Sequence, residues 1–271
     1  MTSYELPCER GRPASTVWEL RPRQHRYALV IPVINEGERL RRQLASIRAL
    51  APEADVIIAD GGSDDGTSDP TLLRNLGVTA LLVKRGPGRL SAQLRMAFGY
   101  ALDAGYQGVL TMDGNGKDGA EGISRIIGAL DAGMDFVQGS RFVRGGRAVN
   151  TPFARLIGIT LVHAPLISVG ARRRFTDTTN GFRGHSRALL EDPQVDVFRK
   201  VFDSYELLAY LPVRAARLGH RTCEVPVSRE YPSAQPTPTK IHGTSAHLQL
   251  VRVLLRAVTG AFDPESSGPT P

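Results

Sequence analysis

Cysteine, lysine and long apolar runs are all scarce in this chain, and each scarcity removes a class of protein. Of 271 residues only two are cysteine, Cys8 and Cys223, too few and too far apart for a disulfide framework or a zinc site. The histidines, His163, His185, His220, His242 and His247 among them, show no metal-ligand spacing. The longest uncharged apolar stretch, Leu156 to Ala171, has 16 residues and contains His163 and Pro165, short of the ~20 residues that cross a bilayer. Residues 1–26 hold five arginines and no apolar h-region, so no secretory signal is expected and the reducing cytoplasm is the expected compartment. Lysine supplies four of the 34 basic residues and arginine the rest, for a net charge of +7. Between Arg141 and Arg187 nine arginines face one acid, Asp177, a local field that concentrates anions such as phosphates or acidic lipid head groups. That cluster carries no DNA-binding motif, which sets nucleic acid aside.

What is present is an alternation of buried strands and amphipathic helices. YALVIPV (27–33), DVIIAD (55–60), Val78 to Val83, GVLTMD (108–113) and Phe136 to Gln138 read as strands. Between them, Glu36 to Leu50, a short segment near Thr71 to Leu76, Ser91 to Ala104 and Ala120 to Ala132 carry apolar residues at helical spacing. This order predicts a mostly parallel sheet flanked by helices. After Gly139 the alternation breaks. An apolar helix is expected over 153–171, a polar loop over Asp177 to Arg183, a helix over Arg199 to Leu218, a strand over Arg221 to Val227, a mobile Pro-rich segment over Ser228 to Thr239 and a last helix over Thr244 to Phe262. The expected organisation is a flexible arm (1–26), one α/β domain (27–262, with a nucleotide half to 140 and an acceptor half from 141) and a disordered tail (263–271).

Two of the buried strands end in carboxylates, Asp60 and Asp113, each followed by a glycine-rich loop. Open α/β sheets bind ligands at that carboxyl edge. Asp60 before Gly61-Gly62 suits ribose hydroxyls or a base N–H, or equally caps its own turn. Asp113 and Asn115 lie two apart and offer oxygens on one side of an extended segment, and Mg²⁺ commonly takes one or two carboxylates plus substrate phosphates. Lys117 adds a cation within reach of a phosphate. Asp203 and Glu206, three apart on an expected helix, read either as a base or as partners of Arg199 and Arg214.

Taken together, IPVINEGERL, ADGGSDDGT, GPGRLSAQLRMAFGYALDAGY and TMDGNGKD resemble the inverting glycosyltransferases of family two, which have the GT-A fold. QGSRFVRGG, the apolar helix, DTTNGFRGHSRALL and RTCEVPV are similar in order and spacing to the dolichyl- and polyprenyl-phosphate sugar synthases of that family. The resemblance spans roughly residues 27–260. It implies a nucleotide-sugar donor gripped by Pro32, Asn35, Glu36, Asp60, Gly62, Arg89, Lys117 and Lys240. It implies an anionic acceptor, a lipid phosphate, held by Arg141, Arg155, Thr179 and Arg183. Asp113 and Asn115 would hold Mg²⁺ or Mn²⁺. Asn115 stands where the family usually has a second acid and Lys117 where it often has glutamine, so weaker metal binding is expected, with Lys117 or Asp118 compensating. The candidate catalytic groups are Asp113 and Arg141, joined by Asp203 and Glu206 if the acceptor is a hydroxyl that needs a base.

Basic flanks on an apolar helix suit contact with a membrane surface, at its inner face. The alternative is a soluble family-two enzyme acting on a hydroxyl of a small molecule, natural product or glycan. A sugar-phosphate nucleotidyltransferase is a further alternative, but Asn35-Glu36-Gly37-Glu38 stands where that class has a glycine-rich, basic loop.

Overall fold

The computed structural model describes residues 1–50, 53–232 and 244–265, without the side chains of residues 244–248. Its centre is a nine-stranded sheet in the order β1-β2-β5-β4-β3-β6-β9-β7-β10. The strands are β1 (Thr2–Leu6), β2 (Ser15–Glu19), β3 (Tyr27–Val33), β4 (Ala54–Asp60), β5 (Val78–Lys84), β6 (Gly108–Thr111), β7 (Phe136–Ser140), β9 (Arg183–Ser186) and β10 (Thr222–Pro226). Strands β5, β4, β3 and β6 run parallel, and β7 with β10 continues in the same direction. Helices α1 (Gly37–Ala49), α2 (Pro70–Asn75), α3 (Leu90–Asp103) and α4 (Gly122–Asp131) make the crossovers.

Alternation along the central strands divides the core into two layers. Ala28, Val30, Ile57, Ala59 and Leu82 pack with α3, α6 (Ala164–Ala171), α7 (Arg187–Glu191), α8 (Glu206–Arg217) and α9 (Thr244–Thr259). Leu29, Ile31, Ile58 and Leu81 pack with α1, α2 and α4. A strand buried on both faces reads as a continuous apolar run, which is why YALVIPV and DVIIAD were legible.

Residues 1–26 are not an arm. Strands β1 and β2 form an antiparallel pair, and β2 adds to the edge of β5 with Val17 opposite Leu82. Val17 is fully buried. The short β-branched and aromatic run STVWE binds an open sheet edge, and the arginines around it obscure that signal. Strand β9 is a second departure. The polar run RGHS inserts antiparallel between β6 and β7, so both neighbours supply its backbone bonds. A third is residues 199–205, which lie outside α8; Glu206 starts that helix by accepting from the N–H groups of Asp203 (2.9 Å) and Ser204 (2.6 Å). A fourth is β11 (Ser228–Glu230), which pairs with β8 (Arg147–Val149) at the start of the stretch expected to be mobile. The expectations for residues 233–240 and for the tail beyond 265 lie outside the described residues.

The apolar segment is one continuous helical run, α5 (Phe153–Ile157), a π-helical turn (Gly158–His163) and α6. By length and composition alone its 19 residues are enough to cross a membrane, three more than the uncharged stretch counted in the sequence. Most of it is exposed or only half-buried.

His185 lies at the centre of the fold, with ring centroids 5.2 Å from Phe98 and 5.6 Å from Phe136 and Nδ1 3.1 Å from the Val109 carbonyl. Burial lowers its pKa to about 3. The unfolded chain therefore binds a proton that the folded chain refuses between about pH 6.5 and pH 3, and this residue's contribution to stability falls as pH drops through that window. Relative to His185→Asn, the wild type should lose about 1.4 kcal/mol per pH unit below 6.5 in urea unfolding. A difference independent of pH contradicts the neutral, buried assignment.

Candidate active site at the carboxyl edge of the sheet

Strand register decides whether the two predicted acids meet. Val33 is paired with Asp60 across β3 and β4. Val30 is paired with Thr111 across β3 and β6, and Met112 N–H donates to Val30 O at 3.0 Å. Asp113 and Asp60 thus flank the end of β3 on one rim, about two strand spacings (~10 Å) apart.

The Asp60 side is a self-bonded loop. The buried carboxylate of Asp60 accepts from Gly62 N–H (3.1 Å), Ser63 N–H (3.0 Å) and the Ser63 hydroxyl. Asn35, at φ 52°, ties this loop to the end of β3: its N–H donates to Ser63 Oγ (2.9 Å) and its Oδ1 accepts from Asp64 N–H (3.0 Å). Asparagine is one of the few side chains that adopts this left-handed conformation readily. Glu36 is buried and accepts from Arg39 Nε at 2.9 Å. Pro32, opposite Ala59, and Gly62, at φ 101°, complete this wall. Gln93, which the sequence did not single out, donates to Val33 O (2.8 Å) and Ala59 O (2.9 Å) and locks the two strands beneath it. Arg89 stands exposed at the start of α3, with its N–H on Asp203 O at 2.8 Å. Asp203 lies against the Gly88 turn, where an added Cβ would sit 2.6 Å from its Oδ1. Asp203 and Glu206 therefore build the junction of α3 and α8, and Glu206 is engaged as a helix cap.

The Asp113 side is an ion network. Asp113 Oδ2 accepts from Arg229 Nη2 at 2.9 Å, and the same guanidinium binds both oxygens of Asp118 through Nη1 at 2.8 and 2.7 Å. Asp118 is not an open metal ligand; it is committed to Arg229. Burial pushes Asp118 up to about 6 despite that guanidinium. Burial opposes the charge on Arg229, but Asp118 and Asp113 outweigh it and hold Arg229 well above its ordinary value. Gln43 on α1 clamps the loop, donating to Asp113 O (2.9 Å) and accepting from Gly116 N–H (3.1 Å). Gly181 is required beside it, because a Cβ there would lie 2.4 Å from Asp113 Oδ1.

Among the described residues no three His, Cys, Asp or Glu gather into a metal cluster. A divalent cation at this edge would have Asp113, 29% exposed, as its one carboxylate. The oxygen of Asn115 already accepts from Lys117 N–H at 3.3 Å. That set fits a cation whose remaining ligands are diphosphate oxygens and water.

The arginine cluster does not act as one field. Arg141 is buried against Asp177 (Nε–Oδ2 2.6 Å, Nη2–Oδ1 2.8 Å) and also reaches Thr179 Oγ1 at 3.0 Å. Burial works against its charge, and Asp177 more than restores it. Arg183 was expected to hold the acceptor, but it is buried under the loop and spends its donors on the carbonyls of Asn180 (3.1 Å), Leu208 (2.8 Å) and Thr178 (2.8 Å). Its part is to fix the 177–183 loop. Arg187 pairs with Glu191. Arg155 is half-buried, and its Nη1 donates to Tyr231 Oη at 3.1 Å. Lys117 is buried with Nζ 5.1 Å from the centre of the Tyr231 ring. Burial, then Arg229 and Arg155, lower its pKa. Lys240 lies outside the described residues. A separate pocket of about 620 Å³, lined by Arg172, Arg173, Arg217 and His220, opens at the start of β10, on the opposite edge of the sheet.

Arg229 and Tyr231 were missed because nothing in SREY marks them; Arg229 meets Asp113 across 116 positions of sequence. Removing Arg229 leaves two carboxylates without their counter-charge. Arg229→Met should therefore cost about 3–5 kcal/mol in urea unfolding, and Asp118→Leu in the same chain should recover part of it, as coupled neighbours do. Additive single effects contradict the network.

Comparison with known proteins follows this geometry. Residues 28–194 match the sequence profile of Glycosyl transferase family 2. Polyprenol monophosphomannose synthase of Mycolicibacterium smegmatis is 28% identical over 259 residues, covering 93% of each chain. Undecaprenyl-phosphate mannosyltransferase of Micrococcus luteus is 32% identical over 206 residues, covering 75% of this chain and 83% of that one. Among solved structures, glucosyl-3-phosphoglycerate synthase of Mycobacterium tuberculosis in complex with UDP superposes with a TM-score of 0.62 at 17% identity, covering 89% of this chain and 81% of that one. A second structure of it, with Mn²⁺, UDP and glucosyl-3-phosphoglycerate, gives 0.59 at 16% identity with the same coverage. The acid-tipped parallel strands and the matched profile make this chain a member of glycosyltransferase family 2, with the GT-A fold.

Proposed function

We propose that the chain transfers a sugar from a nucleoside diphosphate sugar to a polyprenyl phosphate, with inversion at the anomeric carbon. The observation that carries this reading is the pair Lys117 and Arg155, which have no salt-bridge carboxylate among the described residues and gather at Tyr231, Lys117 in the loop that follows Asp113 at the sheet rim. Two cations without an ion-pair partner on one rim, Lys117 buried and Arg155 half-buried, are an anion-binding device. The two mannosyl-phospholipid enzymes above, one matched over nearly its whole length, support the choice of acceptor.

The roles follow from position. The Asp60 loop, with Pro32, Asn35, Glu36 and Gly62, forms the nucleoside wall, and Arg89 stands at the outer end of α3. Lys117 faces the diphosphate. Arg155, Arg141 and Thr179 receive the acceptor phosphate. Its oxygen is already an anion, so it attacks the anomeric carbon directly while the bond from that carbon to the diphosphate oxygen breaks. No proton has to be removed, and Asp203 and Glu206 are left to their structural work. Asp113 and Asn115 would hold Mg²⁺ or Mn²⁺, which would supply charge neutralisation to the departing diphosphate. The solved neighbour that contains Mn²⁺ and UDP supports that cofactor. With one protein carboxylate instead of two, such a cation would be held largely by substrate, and Lys117 would share its load.

Transfer from a panel of nucleotide sugars should proceed to a polyprenyl phosphate and not to the matching polyprenol. Arg155→Ala should lower kcat/KM for the acceptor roughly 10–100-fold, the worth of one charge-assisted contact. Excess chelator should reduce the rate without abolishing it, and abolish it in Lys117→Ala. Equal use of the free alcohol, or full activity of the wild type in chelator, contradicts the reading.

The exposed apolar residues Phe153 (75%), Leu161 (71%) and Val169 (73%), with Leu255 on α9 (47%), give the acceptor side a surface suited to lipid. Arg172, Arg173 and Arg174 are exposed at the end of the same helix. We expect the chain to float with vesicles containing anionic lipid at low salt. Replacing those three arginines by glutamate should leave it at the bottom of the gradient, and flotation unaffected by that change contradicts the membrane contact.

A further inference from the structure

The Tyr231 side chain stands at the meeting point of the donor and acceptor groups, although no motif drew attention to it. Its Oη accepts from Arg155 Nη1 at 3.1 Å and from Arg141 Nη1 at 3.5 Å. Its ring centre lies 5.1 Å from Lys117 Nζ and 5.8 Å from the Arg229 guanidinium carbon. The backbone is fixed from both sides: Tyr231 N–H donates to Val149 O at 3.1 Å, and its carbonyl accepts from Asn150 Nδ2 at 3.3 Å. The side chain is 2% exposed. A strand presents alternate residues on one face, so Arg229 and Tyr231 bring Asp113 and the acceptor arginines together from a single short segment.

A phenol has one proton to donate as well as lone pairs to accept with. The lone pairs of Tyr231 are taken by two guanidinium groups. Among the described residues nothing accepts its proton. A buried donor left without an acceptor is costly, and a bound anion removes that cost. We propose that Tyr231 is an acceptor-positioning and binding residue, its hydroxyl being the donor that, with Arg155 and Thr179, orients the phosphate of the acceptor, while its ring lies against Lys117 on the donor side. Burial alone would raise its pKa, but Arg229, Arg155 and Arg141 outweigh it and hold the phenol below its ordinary value, which makes the hydroxyl a stronger donor. The proposal rests on the phosphate acceptor of the proposed function and adds to it a residue that discriminates phosphate from hydroxyl acceptors.

Tyr231→Phe removes one oxygen and keeps the ring. With a short-chain isoprenyl phosphate as acceptor, the variant should raise acceptor KM roughly 10-fold or more. Donor KM and the thermal shift produced by the nucleoside diphosphate should stay unchanged. Inorganic phosphate should protect the wild type against thermal unfolding more strongly than the variant. In the wild-type chain it should also perturb tyrosine ultraviolet absorbance, which tests the contact without any substitution. Wild-type turnover with acceptor KM unchanged in Tyr231→Phe overturns the proposal, as does phosphate binding with no tyrosine signal. A wild type that binds inorganic phosphate through Tyr231 yet refuses isoprenyl phosphate leaves the phosphate site standing and overturns only the assignment of the lipid acceptor.

Discussion

Two carboxylates close together on one short loop, Asp113 and Asp118, repel each other, and burial makes the repulsion worse. The Arg229 guanidinium, reaching from β11, is what allows them to coexist. That contact fixes the loop after β6 against the small β8–β11 sheet, and through β11 it also sets the position of Tyr231. Breaking such a buried set from one side is far more damaging than its net worth suggests, because the remaining charges lose their partners. Asp113, the loop with Asn115 and Lys117, and Tyr231 are therefore one mechanical unit.

The same unit explains how a rim with a single available carboxylate can manage a diphosphate. Fixed cations, Lys117 and Arg229, lie beside Asp113, and Arg155 lies beyond the Tyr231 ring. In the proposed reaction, charge neutralisation would be shared between side chains that are already in place and a cation arriving with the substrate. Preorganised charges in a desolvated site act without reorganising at the moment of reaction. The 177–183 loop is organised by the same logic. Asp177 balances Arg141 and Arg183 satisfies three carbonyls, which leaves Thr179 exposed.

Much of the sheet was legible because its central strands are buried on both faces, and a continuous apolar run ending in an acid has few other readings. Asp60 and Asp113 were found for that reason, and strand register does bring them to one rim. Strand β9 was not legible, since RGHS owes its conformation to neighbours on either side and has no apolar pattern of its own. Strand β2 was hidden by the arginines around it. Arg183 was misplaced because composition shows a charge but not which way it points; the fold turns it inward to carbonyls. Arg229 and Tyr231 escaped notice because their importance lies wholly in long-range contacts that leave no local trace.

The apolar helix and Arg155 occupy one continuous stretch of chain, so in the proposed reaction a lipid tail and its phosphate would be met by neighbouring elements. In the proposed arrangement, donor and acceptor meet at the sheet rim beside Tyr231, whose ring lies near both Lys117 and Arg155. The most direct test is a crystal structure of the chain soaked with a nucleoside diphosphate and an isoprenyl phosphate together. The diphosphate should lie beside Asp113 and Lys117, with the acceptor phosphate beside Arg155 and Thr179 across the Tyr231 ring. Either ligand found instead in the arginine-lined pocket at the start of β10 contradicts the account.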